Sequence, residues 1–339
     1  MPTEKPLVLL KPTPQQRDRI FAPETLERLQ EAFEVVDYED EPDADLHERL
    51  PEAFAVIGQP DLDGEALDAA VNLKAIVNVE GNFFPNVDYP TAHRNGVRVL
   101  GCGPAYSQAV AEYSLGLALD LARGISREDR RARHGTEQYV SDSTADSILL
   151  RGASVGLIGF GNLGRSLHAL LGPFGNTVRI ADPWLPTSII EDSGAMPATL
   201  EETLRESTFV FVFATATAES EHLLDAKRLS LLPDGARLIL VSRAAVVDYD
   251  ALYTELASGR ILAGIDVWPD EPMPADSGFR DLDNVVFSAH RAGGIPQAFR
   301  SIGEMVCDDL DLIARGLPPQ RMQVAAPELV GRYRNKPVA

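Results

Sequence analysis

The stretch Val155-Gly156-Leu157-Ile158-Gly159-Phe160-Gly161-Asn162-Leu163-Gly164 is a short apolar run that ends in G-x-G-x-x-G. Residues 153–158 read as a buried strand, Gly159 as the tight turn that ends it, and Gly161 as the point where the backbone can approach a pyrophosphate. Gly164 then lets the following helix pack closely on the strand. A pyrophosphate would lie at the N-terminus of that helix, where free N–H groups and the positive end of the helix dipole favour an anion. The next apolar run, Val178-Arg179-Ile180-Ala181, ends at Asp182. A carboxylate at that distance accepts hydrogen bonds from the ribose hydroxyls of an adenosine and repels a 2′-phosphate, which points to NAD rather than NADP. A lone G-x-G-x-x-G is a weak signal; the strand before it, the helical pattern after it and the spaced acid give it weight.

Strands are expected over 178–181, 208–213, 237–241, 261–265 and 285–288, alternating with helical patterns, so that 153 onward forms an open α/β sheet. An earlier series, 7–10, 34–38, 54–58, 74–79 and 97–100, alternates in the same way with helical stretches such as 23–33 and 64–70. A long apolar helix around 109–119 follows it, and the charged and polar residues 123–150 read as an arm or loop over the surface. The pattern 296–314 is a further helix, stopped by Gly316 and Pro318-Pro319, with a polar tail beyond. Length suggests two domains.

The balance of 31 basic against 51 acidic residues gives a net charge of −20. That disfavours nucleic acid and anionic membranes as partners, and it requires basic residues to gather wherever an anionic ligand binds. Two cysteines, Cys102 and Cys307, offer neither metal-ligand spacing nor a disulfide framework, so no metal is expected and the compartment reads as reducing. The only apolar run near the start, Leu7 to Leu10, is far short of a signal segment or a membrane span, and a cytoplasmic location is expected.

Three residues of complementary chemistry each follow an expected strand: Arg243 in Val241-Ser242-Arg243, Glu271 in Asp266-Val267-Trp268-Pro269-Asp270-Glu271, and His290 in Ser288-Ala289-His290-Arg291. Carboxyl ends of parallel strands face the ligand, so a guanidinium, a carboxylate and an imidazole are expected to converge there.

With these residues in hand, nearly the whole chain resembles the D-isomer-specific 2-hydroxyacid dehydrogenases. The resemblance rests on Gly159–Gly164 with Asp182, on Asn86-Val87-Asp88, Val110-Ala111-Glu112, Val247-Asp248, Asp266-Val267 and Asn284-Val285, and on Arg243, Glu271 and His290 in that order. It implies a Rossmann-type doubly wound parallel sheet, residues 104–294, inserted into a smaller flavodoxin-like α/β substrate domain, residues 1–103 and 295–339. It implies NAD(H) as cofactor, held by Gly159, Phe160, Gly161, Asn162, Leu163, Gly164, Asp182, Ser242, Arg243, Asp266 and His290. The substrate would be a small 2-oxo or 2-hydroxy acid. His290 would exchange a proton with the carbonyl oxygen, Glu271 would stabilise the imidazolium, and Arg243 would clamp the carboxylate. A homodimer formed through the cofactor domain, with 123–150 as an exchanged arm, is implied by the same resemblance. Two alternatives share the fold: a phosphite-type dehydrogenase, and an NADH-sensing binding protein like the C-terminal-binding-protein corepressors.

The chain also departs from the family pattern. Where small residues usually form an anion-binding loop, it has Glu80-Gly81-Asn82-Phe83-Phe84-Pro85. Gly81, Asn82 and Phe83 are expected to line the substrate pocket, or the two rings simply to pack. Tyr106 stands where the family commonly has Asn, Ala289 where it has Pro. Arg291, directly after His290, is a second cation for a further anionic group on the substrate, or a surface ion pair.

Overall fold

The run Leu7-Val8-Leu9-Leu10 has no polar alternation because it is covered on both faces, as expected of a strand inside a parallel sheet. The computed structural model describes residues 5–40, 45–139 and 144–333. It divides into two units, residues 1–106 with 294–339, and residues 107–293. In the first unit β1 (Leu7–Lys11), β2 (Glu34–Asp37), β3 (Ala53–Gly58), β4 (Ala75–Asn78) and β5 (Arg98–Gly101) lie parallel in the order β5-β4-β3-β1-β2, the flavodoxin-like arrangement. Val8, Leu10, Ile57 and Val77 pack on one face with Phe299, Ile302, Val306 and Leu310 of the helix Pro296–Ala314. Leu9, Val56 and Ile76 pack on the other with Leu46, Leu62 and Leu67.

The tail after that helix is not featureless. Gln323–Val324 adds an antiparallel strand to β5. The device is Asp309, buried on the helix, whose carboxylate accepts the backbone N–H groups of Gln320 (2.7 Å), Arg321 (3.0 Å) and Met322 (2.7 Å) and so turns the chain back to the sheet edge.

The second unit holds β6 (Ser154–Ile158), β7 (Thr177–Ala181), β8 (Met196–Pro197), β9 (Phe209–Val212), β10 (Arg237–Leu240), β11 (Leu262–Ile265) and β12 (Val285–Phe287), all parallel, in the order β12-β11-β10-β9-β6-β7-β8. The order in which successive strands are added reverses between β6 and β9, which makes the end of β6 the switch point of a doubly wound sheet. The expected arm or surface loop over 123–150 is corrected in part: residues Ile125–His134 form a helix, while 140–143 lie outside the described residues. It has no buried face to read as a period. Its support is charge, with Arg131–Glu128 at i,i+3 and Arg133–Asp129 at i,i+4, and Arg127 reaching Asp146 at 2.6 Å.

Several of the motif acids turn out to be helix caps. Asp88 accepts the N–H of Thr91 and Asp248 those of Asp250 and Ala251.

Candidate active site

The glycine turn is built as its spacing requires. Gly159, the residue after β6, has φ +96°, which a side chain would disfavour. A Cβ on Gly164 would lie 2.5 Å from the carbonyl oxygen of Gly159, so the helix Asn162–Leu171 touches the turn backbone to backbone. At Gly161 a Cβ would meet nothing within 4 Å, and no side chain caps the helix that starts there. Open space beside uncapped N–H groups is what a pyrophosphate needs. Asn162 and Leu163 form the first turn. Phe160 contributes backbone only: its ring is buried under the Arg165 guanidinium (4.8 Å) and edge-on to His168 (5.7 Å), whose imidazole is driven toward the neutral form by burial.

Asp182 follows β7 and braces the turn, with Oδ2 accepting the Phe160 N–H at 2.7 Å and Oδ1 the Trp184 N–H at 2.9 Å. A carboxylate has about four acceptor sites, so roughly two remain for a ribose diol. Ser242, just past β10, has a buried Oγ with no hydrogen-bond partner among the described residues. These features fit the NAD that the spacing predicts: a cradle beside the helix N-terminus, an acid with spare acceptors, and an orphaned hydroxyl along the same row of strand ends.

Arg243, Glu271 and His290 come from the carboxyl ends of three neighbouring strands, β10, β11 and β12. Glu271 and His290 meet directly, with Nδ1 2.8 Å from Oε2, and Glu271 Oε1 accepts the Trp268 N–H at 3.0 Å. Nδ1–H donating to a carboxylate leaves Nε2 as the ring nitrogen that could exchange a proton. Arg243 is half-buried, and its Nη1 donates to the Ser242 carbonyl at 2.8 Å.

His290 has φ +51°, unusual for a residue with a side chain, and Asp266 holds it there. Asp266 is 1% exposed; its carbonyl accepts the His290 N–H (2.7 Å), and its carboxylate accepts the Arg291 and Ala292 N–H groups (2.8 and 3.1 Å) and the Ser288 hydroxyl. Trp268, whose Nε1–H donates to the Ser288 carbonyl at 2.8 Å, stacks on Phe287 and meets Phe279 edge-on. Behind it Tyr249, its phenol pushed up by burial, donates to the Val267 carbonyl. Trp268, Ser288 and Tyr113, which reaches Ser288, were not legible as site residues; the available signal was their adjacency to Asp266 and His290.

In the other unit, Gly81, Asn82 and Phe83 follow β4 at its carboxyl end. The Phe83 ring is buried in that unit's own core against Tyr89 and Tyr333, so packing is what the ring does, and only its backbone is left to meet a ligand. Phe84 is buried as well. Tyr106 donates to the Val79 carbonyl at 3.2 Å. Arg291 is exposed, and among the described residues its guanidinium forms no ion pair.

Residues 115–292 match the family described as D-isomer specific 2-hydroxyacid dehydrogenase, NAD binding domain. A crystal structure of a phosphoglycerate oxidoreductase from Rhizobium etli is 40% identical, with a TM-score of 0.85, covering 95% of this chain and 99% of that one. Hydroxypyruvate reductase of Thermotoga maritima is 31% identical over 243 residues, 70% of this chain and 77% of that protein. D-3-phosphoglycerate dehydrogenase of Archaeoglobus fulgidus is 29% identical over 268 residues; the match takes in 79% of this chain but only half of that longer protein. Among the described residues no helix is long and apolar enough to cross a membrane. The chain belongs to the D-isomer specific 2-hydroxyacid dehydrogenase family, NAD-dependent oxidoreductases in which a Rossmann unit carries the cofactor.

Proposed function

We propose that the chain interconverts a 2-oxo acid and a D-2-hydroxy acid, with His290 as acid and base. The observation that carries the reading is the His290–Glu271 pair, a partly exposed imidazole with Nδ1 on a carboxylate and Nε2 left over, on a loop braced by Asp266. Bound NADH supplies the hydride that reduces C2 of the oxo acid. His290 Nε2 gives its proton to the carbonyl oxygen as the alkoxide forms, and takes it back in the oxidation direction. Glu271 balances the imidazolium and keeps the ring from turning. Arg243 binds the substrate carboxylate and polarises the carbonyl, a task suited to a planar fork of donors that stays charged. Gly159 to Gly164 hold the pyrophosphate, Asp182 the adenosine ribose, and Ser242 the nicotinamide end. Three hydrogen bonds to the Asp266 carboxylate leave about one acceptor site for the carboxamide. The Gly81 and Asn82 backbone and the Phe83 N–H are assigned to the substrate carboxylate.

Arg291, exposed and among the described residues without an ion pair, in a chain of net charge −20, is assigned to a second anionic group on the substrate. The names of the Rhizobium and Archaeoglobus relatives agree with a phosphorylated acid. The test follows NADH absorbance against glyoxylate, pyruvate, hydroxypyruvate, 2-oxoglutarate and phosphonopyruvate. Dianionic substrates should be preferred, and Arg291→Ala should remove the preference, lowering their kcat/KM by about 10- to 100-fold, the size of a charge-assisted hydrogen bond. An unchanged preference refutes the role of Arg291. A wild-type protein that binds NADH and reduces none of them refutes the reaction.

We further place the protein in a reducing cytoplasm as a homodimer. Both cysteines are free and buried, and the helix Ile125–His134 has no buried residue, its own Ile125 standing exposed, as does Leu149. Light scattering at micromolar concentration checks the dimer, and a monomer there refutes it.

A further inference from the structure

The loop that carries His290 is tied to the long helix of its own unit by two hydroxyl groups. Tyr113, on the helix Gly103–Arg123, donates its phenol proton to Ser288 Oγ at 2.6 Å, and Ser288 Oγ–H donates to Asp266 Oδ1. The directions are forced. An ionised carboxylate only accepts, so Ser288 must spend its single proton on Asp266 and offer its lone pairs to Tyr113. Asp266 is buried and, among the described residues, has no cation in ion-pair contact, so its charge is met by donors alone: one hydroxyl and two backbone N–H groups. A hydroxyl that itself accepts a hydrogen bond is a better donor, so the Tyr113 proton strengthens the bond on which Asp266 depends.

The same aspartate is the clamp on His290. It takes the N–H groups of residues 290, 291 and 292 in succession, which is what keeps His290 at φ +51° with Nδ1 on Glu271. The reach of Tyr113 is fixed from the other side. One helical turn later Leu117 sits so close to β11 that a Cβ on Gly264 would come within 3.1 Å of its own Cβ. The helix therefore has no slack against the strand that leads into Asp266. The chain passes between its two units inside this helix, at 106/107, and just after this loop, at 293/294. Both connections thus leave from elements that the Tyr113–Ser288 bond joins.

We propose that Tyr113 is a positioning residue for the proton transfer, acting through Ser288 and Asp266 on the conformation of the His290 loop. This rests on His290 being the acid and base. Phenylalanine at 113 keeps the ring and removes only the phenol, so the fold is preserved and the loop loses one donor.

The experiment compares wild type with Tyr113→Phe, Ser288→Ala, Ser288→Thr and the Tyr113→Phe/Ser288→Ala double variant. It measures kcat and KM for a 2-oxo acid, NADH affinity by fluorescence, and hydrogen exchange of the 288–292 amides. Tyr113→Phe should lower kcat by about three- to tenfold, the range of one ordinary hydrogen bond, with KM and NADH affinity nearly unchanged. Ser288→Ala should lose more, and Ser288→Thr, which retains a hydroxyl, should recover most of that loss. The double variant should be no slower than Ser288→Ala alone, because the phenol then has nothing to act through. The 288–292 amides should exchange faster in Tyr113→Phe, a readout that stands even if no 2-oxo acid is turned over. Wild-type kcat in Tyr113→Phe, multiplicative losses in the double variant, or unaltered exchange would each overturn the proposal.

Discussion

Two neighbouring glycines should fail in different ways when each receives a methyl group. In Gly164→Ala the new Cβ falls 2.5 Å from the Gly159 carbonyl oxygen and 3.3 Å from its carbon, and both partners are backbone, so no rotamer relieves the clash. The turn and the helix must part by about 0.7 to 0.9 Å, while Leu167 and Leu171 hold the helix to the sheet. Overpacking of this kind costs about 1–3 kcal/mol, and the better helix propensity of alanine returns up to about 1 kcal/mol. Gly164→Ala should therefore lower Tm and weaken NADH together. In Gly161→Ala the methyl meets nothing within 4 Å and φ is −74°, on the negative side that alanine can adopt, so Tm should fall less than in Gly164→Ala. If the pyrophosphate lies there, the methyl occupies its place, and losing one hydrogen bond to a charged group weakens NADH by about 10- to 150-fold. Thermal unfolding and NADH fluorescence titration on both variants give the comparison. A Gly161→Ala protein that binds NADH like wild type would refute the assignment of the cradle.

Further expectations can be checked on the same material. Asp182→Ser should narrow the preference for NADH over NADPH by about tenfold or more, because a carboxylate facing a 2′-phosphate is removed. It should also weaken NADH itself, since serine cannot accept both the Phe160 and Trp184 N–H groups; unchanged selectivity in a kcat/KM comparison would mean that another residue reads the ribose. Burial pushes the Tyr89 phenol up to about 12, and its hydroxyl donates to the Phe84 carbonyl at 2.6 Å. A folded pKa above the unfolded value of about 10 means the contribution is complete below pH 10 and is lost as pH rises toward 12, about 2–3 kcal/mol in all. Tm measured from pH 9 to 12 should fall more steeply for wild type than for Tyr89→Phe, and parallel curves would contradict this.

The parts of the fold legible in the sequence are those that a single period or a single steric demand dictates. β6, β7, β9, β10, β11 and the helix Pro296–Ala314 lie where runs of buried residues and their stop signals place them. Each glycine of the turn has its own distinct reason to lack a side chain. What escaped was decided elsewhere in the chain. The Gln323–Val324 strand is short and polar, and it forms because Asp309, eleven residues earlier than Gln320, gathers the intervening N–H groups. The helix Ile125–His134 carries no apolar stripe, so its charge pairs looked like a solvated loop. In the site, the pairing of Glu271 with His290 followed from strand ends that converge. The anchoring of that pair by Trp268, Ser288 and Tyr113 did not, because a serine and a tyrosine 175 positions apart leave no local mark of their hydrogen bond.

If His290 moves the proton while the glycine turn holds the nucleotide, His290→Asn separates the two. With NADH and the best 2-oxo acid of the panel, kcat should fall by about 10²- to 10⁴-fold with NADH affinity unchanged. Turnover near the wild-type rate in that variant would contradict it.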